Sequence, residues 1–161
     1  MKGEDYITQG LILEFQGKAD SYGEHTNPDG QEIKFAEVNK PDFKYTDRYL
    51  NARISKGIDE ATFPGGKISR KYGGQTEDES ILEPLGITEA EVFEFLIEII
   101  LAHGPLTRLA NDFSTTDEDW KYEYVVTYKD KDETEVLGTE KIFYKGVQVF
   151  FHEFNISVNE S

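Results

Sequence analysis

Residues 136–156, VLGTEKIFYKGVQVFFHEFNI, constrain the fold more than any other stretch. Two apolar runs, 141–144 and 147–151, stand on either side of Lys145-Gly146. Glycine reaches the positive φ that tight hairpin turns require. Val, Ile, Phe and Tyr pack well on a pleated surface. The spacing therefore predicts a β-hairpin. Val147, Val149 and Phe151 fall on one face, and Phe150, Phe154 and Ile156 on the other. A strand apolar on both faces is expected at the centre of a sheet, covered above and below.

Residues 88–103 predict a helix. Thr88-Glu89-Ala90-Glu91 has the form of a capping box, in which Thr88 accepts from a first-turn amide and Glu91 reaches back. Val92, Phe93, Leu96, Ile99 and Ile100 make an apolar stripe, and Gly104-Pro105 ends it. A short helix is expected near the N-terminus, where Ile7, Leu11 and Phe15 recur at helical spacing and Gly17 closes the run. Alternating residues predict strands over 32–38, 43–50 and 120–129, and Pro64-Gly65-Gly66 predicts a hairpin between 58–63 and 67–72. The polar stretches 18–31 and 73–83 read as loops, and 106–116 as irregular chain.

Two hairpins echo each other. Gly57-x-Asp59 leads through Gly65 to Tyr72, and Gly138-x-Glu140 leads through Gly146 to Phe154. Each follows an aromatic alternating strand. The expected fold is α+β: one domain, 1–161, with an antiparallel sheet of about six strands in two three-stranded units. One long central helix and a short N-terminal helix would pack it.

The chain has 161 residues, enough for one ordinary domain. Its 20 Phe and Tyr residues can supply much of the core. There is no cysteine, which excludes disulfides, thiolate metal sites and cysteine nucleophiles. No signal-peptide pattern and no long apolar segment occur, so a cytoplasmic protein without membrane contact is expected. The formal net charge of -15 argues against general binding to nucleic acid.

That charge is uneven. Residues 40–71 carry +4, and the rest of the chain carries -19. Within this basic island, Tyr45, Arg48, Tyr49, Arg53, Lys67, Arg70, Lys71 and Tyr72 are the candidate ligand-binding residues. Guanidinium and ammonium groups hold phosphate or carboxylate, and tyrosines stack on a base. With strand 43–50 beside 67–72, Arg48, Arg70 and the tyrosines would converge on one concavity. The competing reading is that these cations only neutralise neighbouring acids such as Asp42, Asp47 and Asp59.

Catalytic and metal chemistry find few parts. His25, His103 and His152 have no metal-ligand spacing, and no phosphate-binding glycine loop is present. No cofactor is expected. The functional expectation is a non-enzymatic protein that binds a small anionic molecule, such as a signalling nucleotide, and sequesters it as phage anti-defence sponges do. The alternative is an acidic nucleic-acid mimic or inhibitor that binds a basic partner protein. Neither reading excludes a homo-oligomer.

The run Phe43-x-Tyr45-x-Asp47-x-Tyr49, followed by Glu60 and a hairpin ending in Tyr72-Gly73, resembles a bacterial family of unknown function. Its members read Y-x-D-x-Y-x-G-G-x-x-F-x-G-x-E and then W-x-M-x-Y-x-G. Gly138-x-Glu140-x-Ile142 and Phe151-His152 extend the likeness over most of the chain. The resemblance implies a single α+β domain and carries no function. Asn51-Ala52, Ser69 and Lys71 depart from the pattern, and these departures fall in the basic island.

Overall fold

The computed structural model of the chain describes residues 1–160. Its strands are β1 (Ser21–Thr26), β2 (Glu32–Asn39), β3 (Lys44–Leu50), β4 (Ile54–Phe63), β5 (Gly66–Thr76), β6 (Phe113–Asp117), β7 (Trp120–Lys129), β8 (Glu135–Tyr144) and β9 (Val147–Glu160). Its α-helices are α1 (Glu4–Phe15), α2 (Glu79–Leu85) and α3 (Glu89–His103). A short 3₁₀ turn, Gly104–Leu106, follows α3.

All nine strands form one antiparallel sheet in the order β1-β2-β3-β4-β5-β9-β8-β7-β6. Two meanders, β1 to β5 and β6 to β9, meet along their last strands. Gly66 pairs with Glu160 at one end of this seam and Thr76 with Phe150 at the other.

This corrects the expected sheet of about six strands packed by one long central helix and a short N-terminal helix: the described residues form nine strands and three α-helices. The additional strands are at the edges. β1 (SYGEHT) is exposed at five of its six positions, and β6 (FSTTD) buries no residue fully. Without a covered face, neither needs the period-two apolar pattern by which strands are recognised. α2 is seven residues long and contains Pro84. It starts where the Asp78 side chain accepts from the Ser80 amide, and it ends at Gly86 with φ 76°.

The ribbon at 136–156 is the β8–β9 hairpin. Lys145 and Gly146 have φ of 49° and 81°, the paired positive values of a two-residue hairpin turn. Its strands are not covered on both faces. A bulge shifts the register between Ile142, opposite Phe150, and Phe143, opposite Gln148. Phe150, His152, Phe154, Ile156 and Val158 then point inward together, while Val147 is exposed. The sheet as a whole buries one face. The inward set of each inner strand is covered, and the opposite set is mostly exposed or half-buried.

Two helices cover that inner face. α1 lies across β2, β3 and β4. Gly10 lets it approach so closely that a Cβ there would lie 2.1 Å from Cγ of Tyr45. α3 is capped by Thr88, whose hydroxyl accepts from the Glu91 amide at 3.2 Å. It buries Val92, Phe95, Leu96, Ile99 and Ile100, and the Phe95 ring stacks on Trp120 at 5.0 Å. Among the described residues no helix is long and apolar enough to cross a membrane.

Gly10→Ala tests the α1 contact. The added methyl meets the body of a buried ring, so overpacking of about 1–3 kcal/mol is expected. Urea unfolding should show it as a lower midpoint, and an unchanged midpoint would show that α1 can lift away from Tyr45.

Candidate functional site

The inner face of the sheet holds an unusual amount of charge. Glu14, Asp47, Asp59, Glu140, Arg70 and Arg108 are all buried. Buried charges are tolerated when they are paired and hydrogen-bonded. Four of the six are. Arg70 of β5 lies opposite Asp59 of β4 and holds it by two bonds, with Nε donating to Oδ1 at 3.0 Å. Arg108 follows the 3₁₀ turn with a left-handed φ of 59°, a conformation that non-glycine residues adopt at a cost. From there it holds Glu140 of β8 through Nε at 2.7 Å and Nη2 at 2.9 Å. Nη1 of Arg70 also donates to the Arg108 carbonyl at 3.2 Å, which joins the two pairs.

The two halves share a register here. Gly57 pairs with Tyr72 and Asp59 with Arg70, while Gly138 pairs with Phe154 and Glu140 with His152. A Cβ on Gly57 would lie 2.6 Å from the Tyr72 ring, and one on Gly138 would lie 2.4 Å from the Tyr124 hydroxyl. In each half the hydroxyl of a tyrosine on the preceding strand lies against the acid: Tyr45 at 3.3 Å from Asp59, with its one proton shared towards Glu14, and Tyr122 donating to Glu140. His152 occupies the position equivalent to Arg70, and Arg108 supplies the missing cation from outside the sheet.

Glu14 and Asp47 have no cationic partner among the described residues. Asp47 accepts from the Tyr72 hydroxyl at 2.8 Å, and Glu14 accepts from the Tyr45 hydroxyl at 2.9 Å. The two carboxyls also face each other. Burial raises the pKa of both; Glu14 raises that of Asp47 further, while the contact with Asp47 partly offsets the rise at Glu14. Asp47 is held well above the ordinary aspartate range, with Glu14 and Asp59 adding to the desolvation. Glu140 behaves oppositely. Burial pushes it up, but the Arg108 charge, the bonds from Arg108 and the neighbouring His152 together outweigh burial and bring its pKa down to about 2.

Above this floor lies a cavity of about 420 Å³, within the range of small-molecule sites. It sits between the sheet and the helices. Its walls include Phe15 of α1, Phe93 and Leu96 of α3, Tyr49 of β3 and Phe150 of β9. Its polar groups are Asp47, Asp59, Tyr72, Ser55, His152 and Arg108, with Glu89 and Asn51 also on its lining.

Ser55 and His152 lie at one end. Ser55 Oγ is 2.9 Å from His152 Nε2. Burial lowers the His152 pKa, and the tautomer of the ring decides whether Ser55 or His152 donates. Nδ1 has no hydrogen-bond partner and lies 3.7 Å from Oε1 of Glu140. The order resembles a nucleophile, base and acid, but Glu140 is engaged by Arg108 and Tyr122. The pair forms a hydrogen-bonding end of the cavity.

The eight residues singled out in the sequence do not converge on one concavity, because alternate residues of a strand face opposite ways. Tyr45 and Arg70 are sealed beneath the helices and serve the buried network. Tyr49 and Tyr72 line the inner cavity and also border the outer groove that holds Arg48 and Lys71. Arg48 and Lys71 project from the other face, beside Lys56 and His25, along an open groove of about 620 Å³. Lys67 pairs with Glu60 at 2.7 Å, and Arg53 donates to the Thr76 carbonyl at 3.1 Å. Sequence reasoning missed Glu14, Asp47, Asp59, Arg108, Glu140, Ser55 and His152 as site residues. Among the described residues no group of three or more His, Asp or Glu side chains is arranged to hold a metal ion.

Comparison with protein-family models, curated proteins and solved structures finds no match, so the site is read from its own geometry.

The carboxyls set the pH dependence of stability. Asp47 and Glu14 bind protons more tightly folded than unfolded, so their contribution is complete below about pH 4 and is lost as pH rises through their raised values. Glu140 contributes above about pH 4.5 and loses this as pH falls towards 2. Urea midpoints should therefore peak in weak acid and decline towards pH 8. Asp47→Asn should flatten the alkaline decline. Arg70→Met, which strands Asp59, should cost about 3–5 kcal/mol at pH 7.

Proposed function

We propose that this protein binds a small molecule in the cavity between α1, α3 and the sheet, and acts by sequestering it. The observation that carries this reading is the cavity itself: about 420 Å³, walled by aromatic and aliphatic side chains, over a buried polar floor. Such combinations are the usual form of small-ligand sites. Asp47 and Glu14, desolvated without a cation, supply a second support, since perturbed groups gather at functional sites.

Thermal shift measures it directly. A panel of nucleotides, amines, aromatic acids and neutral heterocycles would be screened against the wild type and Ala90→Trp. Ala90 is exposed on α3 and lines the cavity, so the indole should fill the opening without disturbing the core. At 100 times its Kd a ligand adds about 2.7 kcal/mol, which moves the melting temperature of a chain this long by about 5–10 °C. At least one compound should do so in the wild type and fail in Ala90→Trp. A panel without any shift overturns the reading.

A second reading keeps the anionic, nucleotide-like ligand but places it on the outer face. Its support is specific: Arg48, Lys56 and Lys71 border one groove, and none has an acidic partner within 4.0 Å among the described residues. It predicts that nucleotide-induced shifts survive Ala90→Trp and disappear in Arg48→Ala with Lys71→Ala. Shifts that respond the other way favour the inner cavity.

A further inference from the structure

We infer that the ligand of the inner cavity is an organic cation, a protonated amine on an apolar or aromatic body, and that Asp47 is the carboxylate that receives it. The inference rests on the cavity being the binding site, and adds the chemical class of its occupant.

The argument starts from the charges facing Asp47 on every side. Glu14 faces it from α1 and Asp59 from β4. Tyr72 faces it from β5, and Tyr45 and Tyr49 extend from its own strand. Two guanidiniums lie near. Arg70 is held by both oxygens of Asp59, and Arg108 by both oxygens of Glu140. His152 is neutral. α3 brings Ala90, Phe93 and Leu96 to the cavity, and its only charged lining residue is the acid Glu89. Every cation in the neighbourhood is committed, and the uncommitted charge is negative.

A carboxylate without a counter-ion is costly inside a protein. Here the floor of a cavity carries that cost, with space above it. An ammonium group there would replace the missing partner. It would donate to Asp47, which now accepts from the Tyr72 hydroxyl, and its charge would favour the ionised carboxylate that burial and the neighbouring acids disfavour. The walls suit the rest of such a molecule. Phe15, Tyr49, Tyr72, Phe93 and Phe150 surround the space, and aromatic faces attract cations as well as apolar groups. An anion in the same place would face Asp47, Asp59 and Glu89, against Arg108 as the one cation on the lining, itself engaged by Glu140. The chain's net charge of -15 draws cations towards the opening.

The test compares matched probes by titration calorimetry and thermal shift on the full chain. Tryptamine, phenethylamine and spermidine serve as amines. Indole-3-propionate and indole-3-propanol offer similar skeletons with negative or no charge. At pH 8 an amine should bind at least tenfold more tightly than its neutral and acidic counterparts. Its affinity should fall between pH 8 and pH 5, by up to tenfold per unit below the point where Asp47 takes up its proton, while the amine stays charged throughout. Asp47→Asn should lose at least tenfold in amine affinity and yet melt higher than the wild type at pH 8, since it no longer buries a charge. A carboxylate with a purely structural role would leave amine affinity unchanged or lower the melting temperature. The pH series uses only the wild type and so does not depend on the variant folding. If neutral or anionic probes bind as well as amines, or Asp47→Asn keeps amine affinity, the cation inference fails and the cavity reading stands. If no probe of any class binds, both fail.

Discussion

The structure depends on two buried ion pairs, Asp59–Arg70 and Glu140–Arg108, joined where Arg70 donates to the Arg108 carbonyl. Each pair is stable only if complete, because a lone interior charge costs more than the pair contributes. The partners come from distant parts of the chain. Asp59 and Arg70 belong to the first meander, Glu140 to the second, and Arg108 to the segment between α3 and β6. The seam of β5 and β9 brings these parts within reach of each other. Satisfying the charges therefore requires both meanders and the connecting segment at once, which ties the whole sheet into one cooperative unit.

The two meanders carry the same device and differ in its surroundings. Where the first half has Arg70, the second has His152. Where the first has Tyr72, the second has Phe154, and where the first has Asp47, the second has Tyr124. The second half is thus closed: Tyr124 donates to the Leu109 carbonyl, and Arg108 lies over the Phe154 ring. The first half keeps an acid and a tyrosine hydroxyl at the corresponding places, and the cavity lies over them. Asymmetry between near-repeats separates a packed interior from a site.

Much of this was legible in the sequence, though under a different heading. The echo of Gly57-x-Asp59 in Gly138-x-Glu140 marks the paired acids, and the alternating strands mark most of the inner face. The missed signal was a charge in phase with apolar neighbours. Asp47 sits between Tyr45 and Tyr49, Arg70 between Ile68 and Tyr72, Glu140 between Gly138 and Ile142, and His152 between Phe150 and Phe154. Glu14 follows Ile7 and Leu11 on the same helical face. Counting basic residues along the chain concealed this, because strand neighbours in sequence face opposite sides of the sheet. Arg108 left no such trace. Its place is set by a left-handed residue after a 3₁₀ turn, and no periodicity marks it. The edge strands β1 and β6 and the short helix α2 escaped for a related reason: little of them is buried, so little of their sequence is constrained.

The position of β9 carries a kinetic consequence. It is the last strand in sequence and one of the innermost in the sheet. Until residues 147–160 are available, β5 and β8 each present an unpaired edge, and β5 is 11 residues long. Open edges of that kind recruit other strands. Closing the seam joins residues about 75 to 95 positions apart, as the pairing of Thr76 with Phe150 and Gly66 with Glu160 shows, and contacts of that span form slowly. During synthesis the first meander therefore waits, unfinished, for residues 147–160, and the time spent waiting sets its exposure to misassembly.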